Sequence, residues 1–117
     1  MSPFSNIENV HRRFIAEFIE TYKSFPTLWD VRCREYNDRE AKRSAYITLV
    51  RKLREVEPSA GRHDVIRKIN SLRSAFRREY RKVKLWKSRG GTYKPKLWYY
   101  NLISFTVKNE EAQKSTK

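Results

Sequence analysis

The sequence predicts an all-α chain: a three-helix bundle of the helix-turn-helix kind with an additional short C-terminal helix. Three observations carry that expectation. Apolar residues recur at three- and four-residue spacing along three long stretches. Breaks bearing proline or glycine separate these stretches. The break between the second and third is only Pro58-Ser59-Ala60-Gly61, short enough to set two helices side by side.

Residues 1–8 show little apolar periodicity and read as a flexible N-terminal arm. The first helix is expected from about Asn9 to Lys23, with Phe14, Ile15, Phe18, Ile19 and Tyr22 on its buried side. Phe25-Pro26-Thr27 ends it, because proline disfavours helical geometry in the residue before it. In the following loop Leu28 and Trp29 are expected to anchor into the core. The second helix is expected to open at Asn37 or Asp38 as its cap and to run to about Val56. Its buried stripe is Ala45, Leu49 and Leu53, with Tyr46 and Val50 beside it.

The third helix, from about Arg62 to Trp86 or Lys87, is the most informative stretch. At ~100° per residue Val65, Ile69, Leu72, Phe76 and Val83 fall in one narrow sector, and Arg67, Asn70, Ser74, Arg78 and Arg81 point the other way. Burial of the five apolar side chains is worth about 10 kcal/mol before chain entropy is set against it. Gly90-Gly91 ends the helix. A last short helix is expected from about Lys96 to Val107, with Trp98 facing the core and residues 108–117 left as a polar tail. The expected core thus includes Phe14, Phe18, Trp29, Tyr46, Leu49, Ile69, Leu72, Phe76 and Trp98, all within a single domain over residues 9–107.

Charge points to a partner. The chain holds 27 Lys and Arg against 13 Asp and Glu, a formal net charge of +14. Residues 62–117 carry 16 basic and 4 acidic side chains, whereas residues 1–61 carry 11 and 9. Such an imbalance calls for a polyanion, and it places the contact on the second half. Between Arg62 and Arg89 there are 11 basic residues and only Asp64 and Glu79 to oppose them. A merely solvated face carries mixed signs, and this one does not.

Guanidinium, amide and hydroxyl groups together are the set that reads base edges and holds phosphates in a DNA groove. In a helix-turn-helix the N-terminal half of the recognition helix reaches the bases. That makes Arg67, Asn70, Ser71 and Ser74 the base-contact candidates, with Lys68, Arg77, Arg78, Arg81 and Lys82 expected on phosphates. Arg39, Lys42 and Arg43 open the second helix, where the helix dipole favours a phosphate. Lys87 and Arg89, with Lys94 and Lys96, flank the double glycine as a mobile clamp on the backbone.

Other classes are disfavoured. One cysteine, Cys33, and two histidines, His11 and His63, are too few soft ligands for a structural zinc site, and no cofactor loop or catalytic constellation occurs. No apolar run approaches the ~20 residues needed to span a bilayer, so neither a membrane nor a small-molecule substrate is expected. The reading is a non-enzymatic, double-stranded DNA-binding chain of the nucleus. A protein-interaction module that docks acidic chromatin or coactivator segments through the same basic face remains open beside it, and RNA binding is a third account.

The segments LWDVRCREYND, INSLRSAFRREYRKV and YKPKLWYYNLISF, in that order, resemble the MADF family, a Myb/SANT-like DNA-binding domain of transcription regulators. The Leu28-Trp29-Asp30 triplet, the Leu72-Arg73 pair and Pro95 with Leu97-Trp98-Tyr99-Tyr100 carry the likeness. The resemblance implies a helical bundle related to Myb repeats, a third helix lying in the major groove, and a role as a sequence-specific transcription factor. Tyr46 and Ile69 stand where the family often has tryptophan. Many such proteins also carry a C-terminal interaction motif; nothing after Val107 resembles one, and the charged tail reads as that of an excised piece.

Overall fold

In the computed structural model, which describes the backbone of residues 3–107 and side chains from Glu8 onward, α1 spans Pro3–Lys23, α2 Arg39–Leu53, α3 Arg62–Ser88 and α4 Tyr100–Ile103. Two 3-10 turns, Pro26–Leu28 and Ser104–Thr106, complete the elements, and no strand occurs among the described residues. The result is an all-helical bundle of three long helices with a short extra helix at its C-terminal end.

The first helix starts earlier than its periodicity suggests. Residues 3–8 of the expected arm are helical rather than loose, and the proline at the start is the one residue whose missing N–H costs a helix nothing in its first turn. The far end follows expectation. After Lys23 the chain turns at Phe25-Pro26, and Trp29 swings back so that its indole N–H donates to the Lys23 carbonyl at 3.2 Å. That bond satisfies a carbonyl left open at the helix end. The Trp29 ring meets Phe105 edge-on at 4.7 Å, which ties the loop and the C-terminal segment to α1.

Asp38 caps α2: its carboxylate accepts from the backbone N–H of Glu40 at 2.9 Å and of Ala41 at 3.2 Å. The helix stops at Leu53 rather than Val56, because the chain folds into a turn in which Glu57 N–H donates to the Leu53 carbonyl and the Arg54 Nε donates to Ala60 O at 2.8 Å. Gly61 then opens α3, with Asp64 accepting the Gly61 N–H at 2.8 Å. The acidic side chain in the first turn also favours the positive end of the helix dipole.

The core lies where α1, α2 and α3 meet, under α4. Phe14, Phe18, Leu49, Ile69, Leu72, Phe76 and Trp29 are all buried in it, as expected. Two expected members are not. Tyr46 is only half-buried, on the rim, with its ring beneath the Arg62 guanidinium at 4.3 Å. Trp98 is 42% exposed and sits against Arg12, 5.4 Å from the ring centroid, while Tyr99 takes the buried place and donates its hydroxyl to Leu72 O.

The exchange of Trp98 for Tyr99 follows from the shape of the last segment. The expected helix over 96–107 is present only as Tyr100–Ile103 and the 3-10 turn after it. Lys96 gives its backbone N–H to the Glu79 carboxylate instead of to a helical carbonyl, and Pro95 supports the extended approach. A helix beginning four residues later turns different side chains inward.

Burial also ties α1 to α3. Tyr22 is 2% exposed, and its hydroxyl forms no hydrogen bond of standard geometry. Burial pushes the Tyr22 phenol up to about 12, against the opposing pull of the nearby Arg73 guanidinium. The Leu72-Arg73 pair thus supplies one core side chain and one charge to the α1–α3 contact.

Candidate nucleic-acid interface

At 27 residues, α3 is far longer than the bundle needs to cover its core. At ~1.5 Å rise per residue it forms a rod of about 40 Å. Its buried residues are Val65, Ile69, Leu72, Phe76 and Glu79, all in phase at four- and three-residue steps. Val83, expected to continue the stripe, is only half-buried, and everything from Lys84 to Gly90 is exposed. The last two turns therefore project beyond the bundle. The folded molecule is correspondingly flat, with extents of 47 × 46 × 18 Å.

Opposite the stripe the face is open. Arg67, Asn70, Ser71 and Ser74 are all exposed, as are Arg78 and Arg81 further along. The structure thus brings the four base-contact candidates and two of the phosphate candidates onto one uncovered side of one helix. Arg67 leans on Asp64 at 3.7 Å, an exposed i,i+3 pair weak enough to exchange for a better anion.

The remaining candidates divide. Arg39, Arg43, Lys87 and Arg89 are exposed. Lys68 is half-buried in a shallow hollow it shares with Glu57 and Asp64. Arg77 is half-buried, with a solvent-shielded Nε. The Lys42 ammonium lies 4.3 Å from the Tyr36 ring centroid, and Lys82 pairs with Glu79 at 3.2 Å. Arg77 in particular lies on the flank rather than on the crest of the helix, ~100° round from its neighbour Arg78.

Glu79 is the residue that charge counting misplaces. Rather than offsetting the basic surface it is turned inward, its side chain 11% exposed. It accepts the Tyr93 hydroxyl at 3.0 and 3.2 Å and the Lys96 backbone N–H at 2.6 Å. Its position could be read from the sequence, since it continues the stripe three residues after Phe76. Asp64 is then the sole acid of α3 left at its surface.

The same bonds fix the segment after α3. Gly90 adopts φ +78°, the left-handed conformation that glycine tolerates, and the N–H groups of Gly90 and Gly91 close on Lys87 O and Trp86 O. A Cβ on Gly91 would lie 3.2 Å from Trp86 Cε3, so the chain can turn back tightly here. Trp86 then stacks on Tyr93, with centroids 6.3 Å apart. Lys94 and Lys96 thus belong to a segment pinned to α3, where a mobile clamp was expected.

The Lys96 N–H foremost, then the Tyr93 hydroxyl and the Lys82 ammonium, outweigh the cost of burial and hold the Glu79 carboxyl below its ordinary 4.5. A carboxyl with a depressed folded pKa adds stability above its unfolded pKa and loses it as pH falls through the folded one. Thermal melts from pH 7 downward should therefore show stability declining below about 4.5. In Glu79→Gln the melting temperature at pH 7 should be lower and that part of the acid decline absent. An acid limb parallel to the parent's would remove Glu79 from this role.

The comparisons with known proteins bear on this geometry. The family model described as alcohol dehydrogenase transcription factor Myb/SANT-like, a MADF DNA-binding domain, matches residues 18–105. The chain belongs to the MADF family. No curated protein and no solved structure gives a significant match. The match to the MADF domain takes in the end of α1 from Phe18, all of α2 and α3, and the returning segment through Phe105. It gives the chain a place among DNA-binding domains of transcription regulation. Among the described residues no group of His, Cys, Asp and Glu is placed to hold a metal ion, and no helix is long and apolar enough to cross a membrane.

Proposed function

We propose that this MADF domain is the sequence-specific, double-stranded DNA-binding part of a nuclear transcription regulator, with α3 inserted in the major groove. One observation carries the reading: Arg67, Asn70, Ser74, Arg78 and Arg81 share a single uncovered side of α3 while the helix is held from behind by its apolar stripe. A major groove ~12 Å wide admits one helix, and this one stands clear of the bundle along its outer side.

Roles follow from chemistry. The Asn70 amide can donate and accept at once, as bidentate pairing with adenine requires, and Arg67 can pair with guanine. Ser71 and Ser74 are short and allow close approach. Arg78 and Arg81 lie later on the helix and hold phosphates, joined by Arg39 and Arg43 from α2 and by Lys87 and Arg89 from the projecting end.

Selection of bound duplexes from a random pool tests these roles. Asn70→Ala should change the selected motif, with ~1–3 kcal/mol of discrimination lost at one position. Arg78→Ala should lower affinity for all sequences and leave the motif intact. Failure of the parent domain to enrich any duplex, or preference for single strands or double-stranded RNA in competition, would overturn the proposal. Chromatin or coactivator proteins as ligands of this same face would then be the reading to pursue.

A further inference from the structure

The outer side of α2 carries cations that the crest of α3 does not use. Arg43, Ile47, Val50, Arg51 and Arg54 recur at three- and four-residue steps and so share one side of the helix. Arg62, from the first turn of α3, closes one end, and the groove so formed has a volume of about 530 Å³. None of the residues lining it is acidic. Its floor is apolar: Val50 and the ring of Tyr46 are half-buried there, and Ile47 is 45% exposed.

Two of the guanidinium groups are held in place before any ligand arrives. Arg54 is fixed by its bond to Ala60 O, and Arg62 by stacking on Tyr46. A charge already positioned costs less entropy when it is engaged. Arg62 lies ~120° round α3 from Ser74, so the groove faces away from the proposed base-reading crest.

Charge and shape select the occupant. A nucleic-acid backbone would satisfy the arginines and leave Ile47 and Val50 in water. A second copy of the chain would bring a like-charged, +14 molecule against the groove. A helix with carboxylates along its edges and Leu or Phe along one stripe satisfies both the cations and the floor.

We propose that the α2 groove docks an acidic amphipathic helix from a partner protein while α3 remains available to a duplex. Leu or Phe side chains of that helix seat on Ile47 and Val50, and its Asp and Glu pair with Arg51, Arg54 and Arg62, which leaves Arg43 at the groove's edge to the duplex. Docking of the peptide does not depend on the duplex reading, because it is measured without DNA; only the ternary complex rests on that reading.

The probe is a labelled synthetic helical peptide with Leu and Phe at i, i+4 and i+7 among Glu and Asp, titrated by fluorescence anisotropy against the whole chain. A peptide of the same composition with its apolar residues scattered controls for simple charge attraction. The patterned peptide should bind ~10-fold more tightly than the scattered one, and Ile47→Asp should remove that advantage. Arg51→Glu addresses the same groove through an exposed residue, so a misfolded Ile47 variant does not end the test. Added duplex should yield a ternary complex on sedimentation. Equal binding of the two peptides, indifference to both substitutions, or release of peptide by duplex would each overturn the proposal, the last by assigning the groove to the nucleic-acid interface.

Discussion

Phe76→Ala should cost ~3–5 kcal/mol and leave much of the domain unfolded near physiological temperature. The ring is 1% exposed at the centre of the molecule. It stacks on Tyr80 with centroids 5.8 Å apart and meets Tyr100 at 4.9 Å, so it couples α3 to itself and to α4. Truncation would lose the transfer energy of the ring, open a cavity, and remove two aromatic contacts worth ~0.5–1.5 kcal/mol each. Domains of this size hold only ~5–15 kcal/mol in total. The loss corresponds to a fall in melting temperature on the order of 15–30 °C. DNA binding should vanish with the fold, whereas Arg78→Ala should melt within a few degrees of the parent. A Phe76→Ala protein that melts close to the parent would show that the apolar stripe does not hold α3.

That contrast between a buried stripe and an open polar crest was legible from residue spacing alone. Val65, Ile69, Leu72 and Phe76 keep one phase over three turns, so the 3.6-residue period decides their direction and leaves the adjacent Ile66 and Ala75 at the edge of the stripe, half-buried. The exposed crest follows from the same arithmetic. Asp38 and Pro26 were legible for a related reason, since capping and helix-breaking depend on a few adjacent residues.

What spacing could not show is settled by partners distant in sequence. Whether Trp98 or Tyr99 enters the core depends on where the last helix starts, which in turn depends on a hydrogen bond from Lys96 to Glu79 across α3. Both aromatic side chains suit the buried place, and Tyr99 holds it because an extended segment sets the phase. Tyr46 is withheld from the core by the Arg62 guanidinium on its face, a contact between two helices. The inward turn of Glu79 was available in principle, but periodic patterns are read through apolar residues, and a carboxylate in the stripe is taken for an exception. The groove on α2 draws on two helices and a turn, and no single helical period reveals it.

Raising salt from 50 to 200 mM should weaken duplex binding by ~10³–10⁴-fold, with a log–log slope of about −5 to −7. The slope counts phosphates neutralised, and α3 with the start of α2 offers enough exposed cations for ~6–8 contacts. Burial of Glu79 raises that expectation, because an inward carboxylate that accepts the Tyr93 hydroxyl and the Lys96 N–H and pairs with Lys82 does not repel a phosphate as a surface one would. Substitution separates the two kinds of contact. Arg78→Ala or Arg81→Ala should each reduce the slope by about one, since a released counterion is lost with each cation. Asn70→Ala should lower affinity for the preferred duplex while leaving the slope unchanged, because an amide neutralises nothing. A parent slope shallower than about −2 would mean that too few phosphates are engaged for a helix lying in the groove. An Asn70→Ala slope shifted as far as that of Arg78→Ala would mean that the crest does not divide into base-reading and phosphate-holding positions at all.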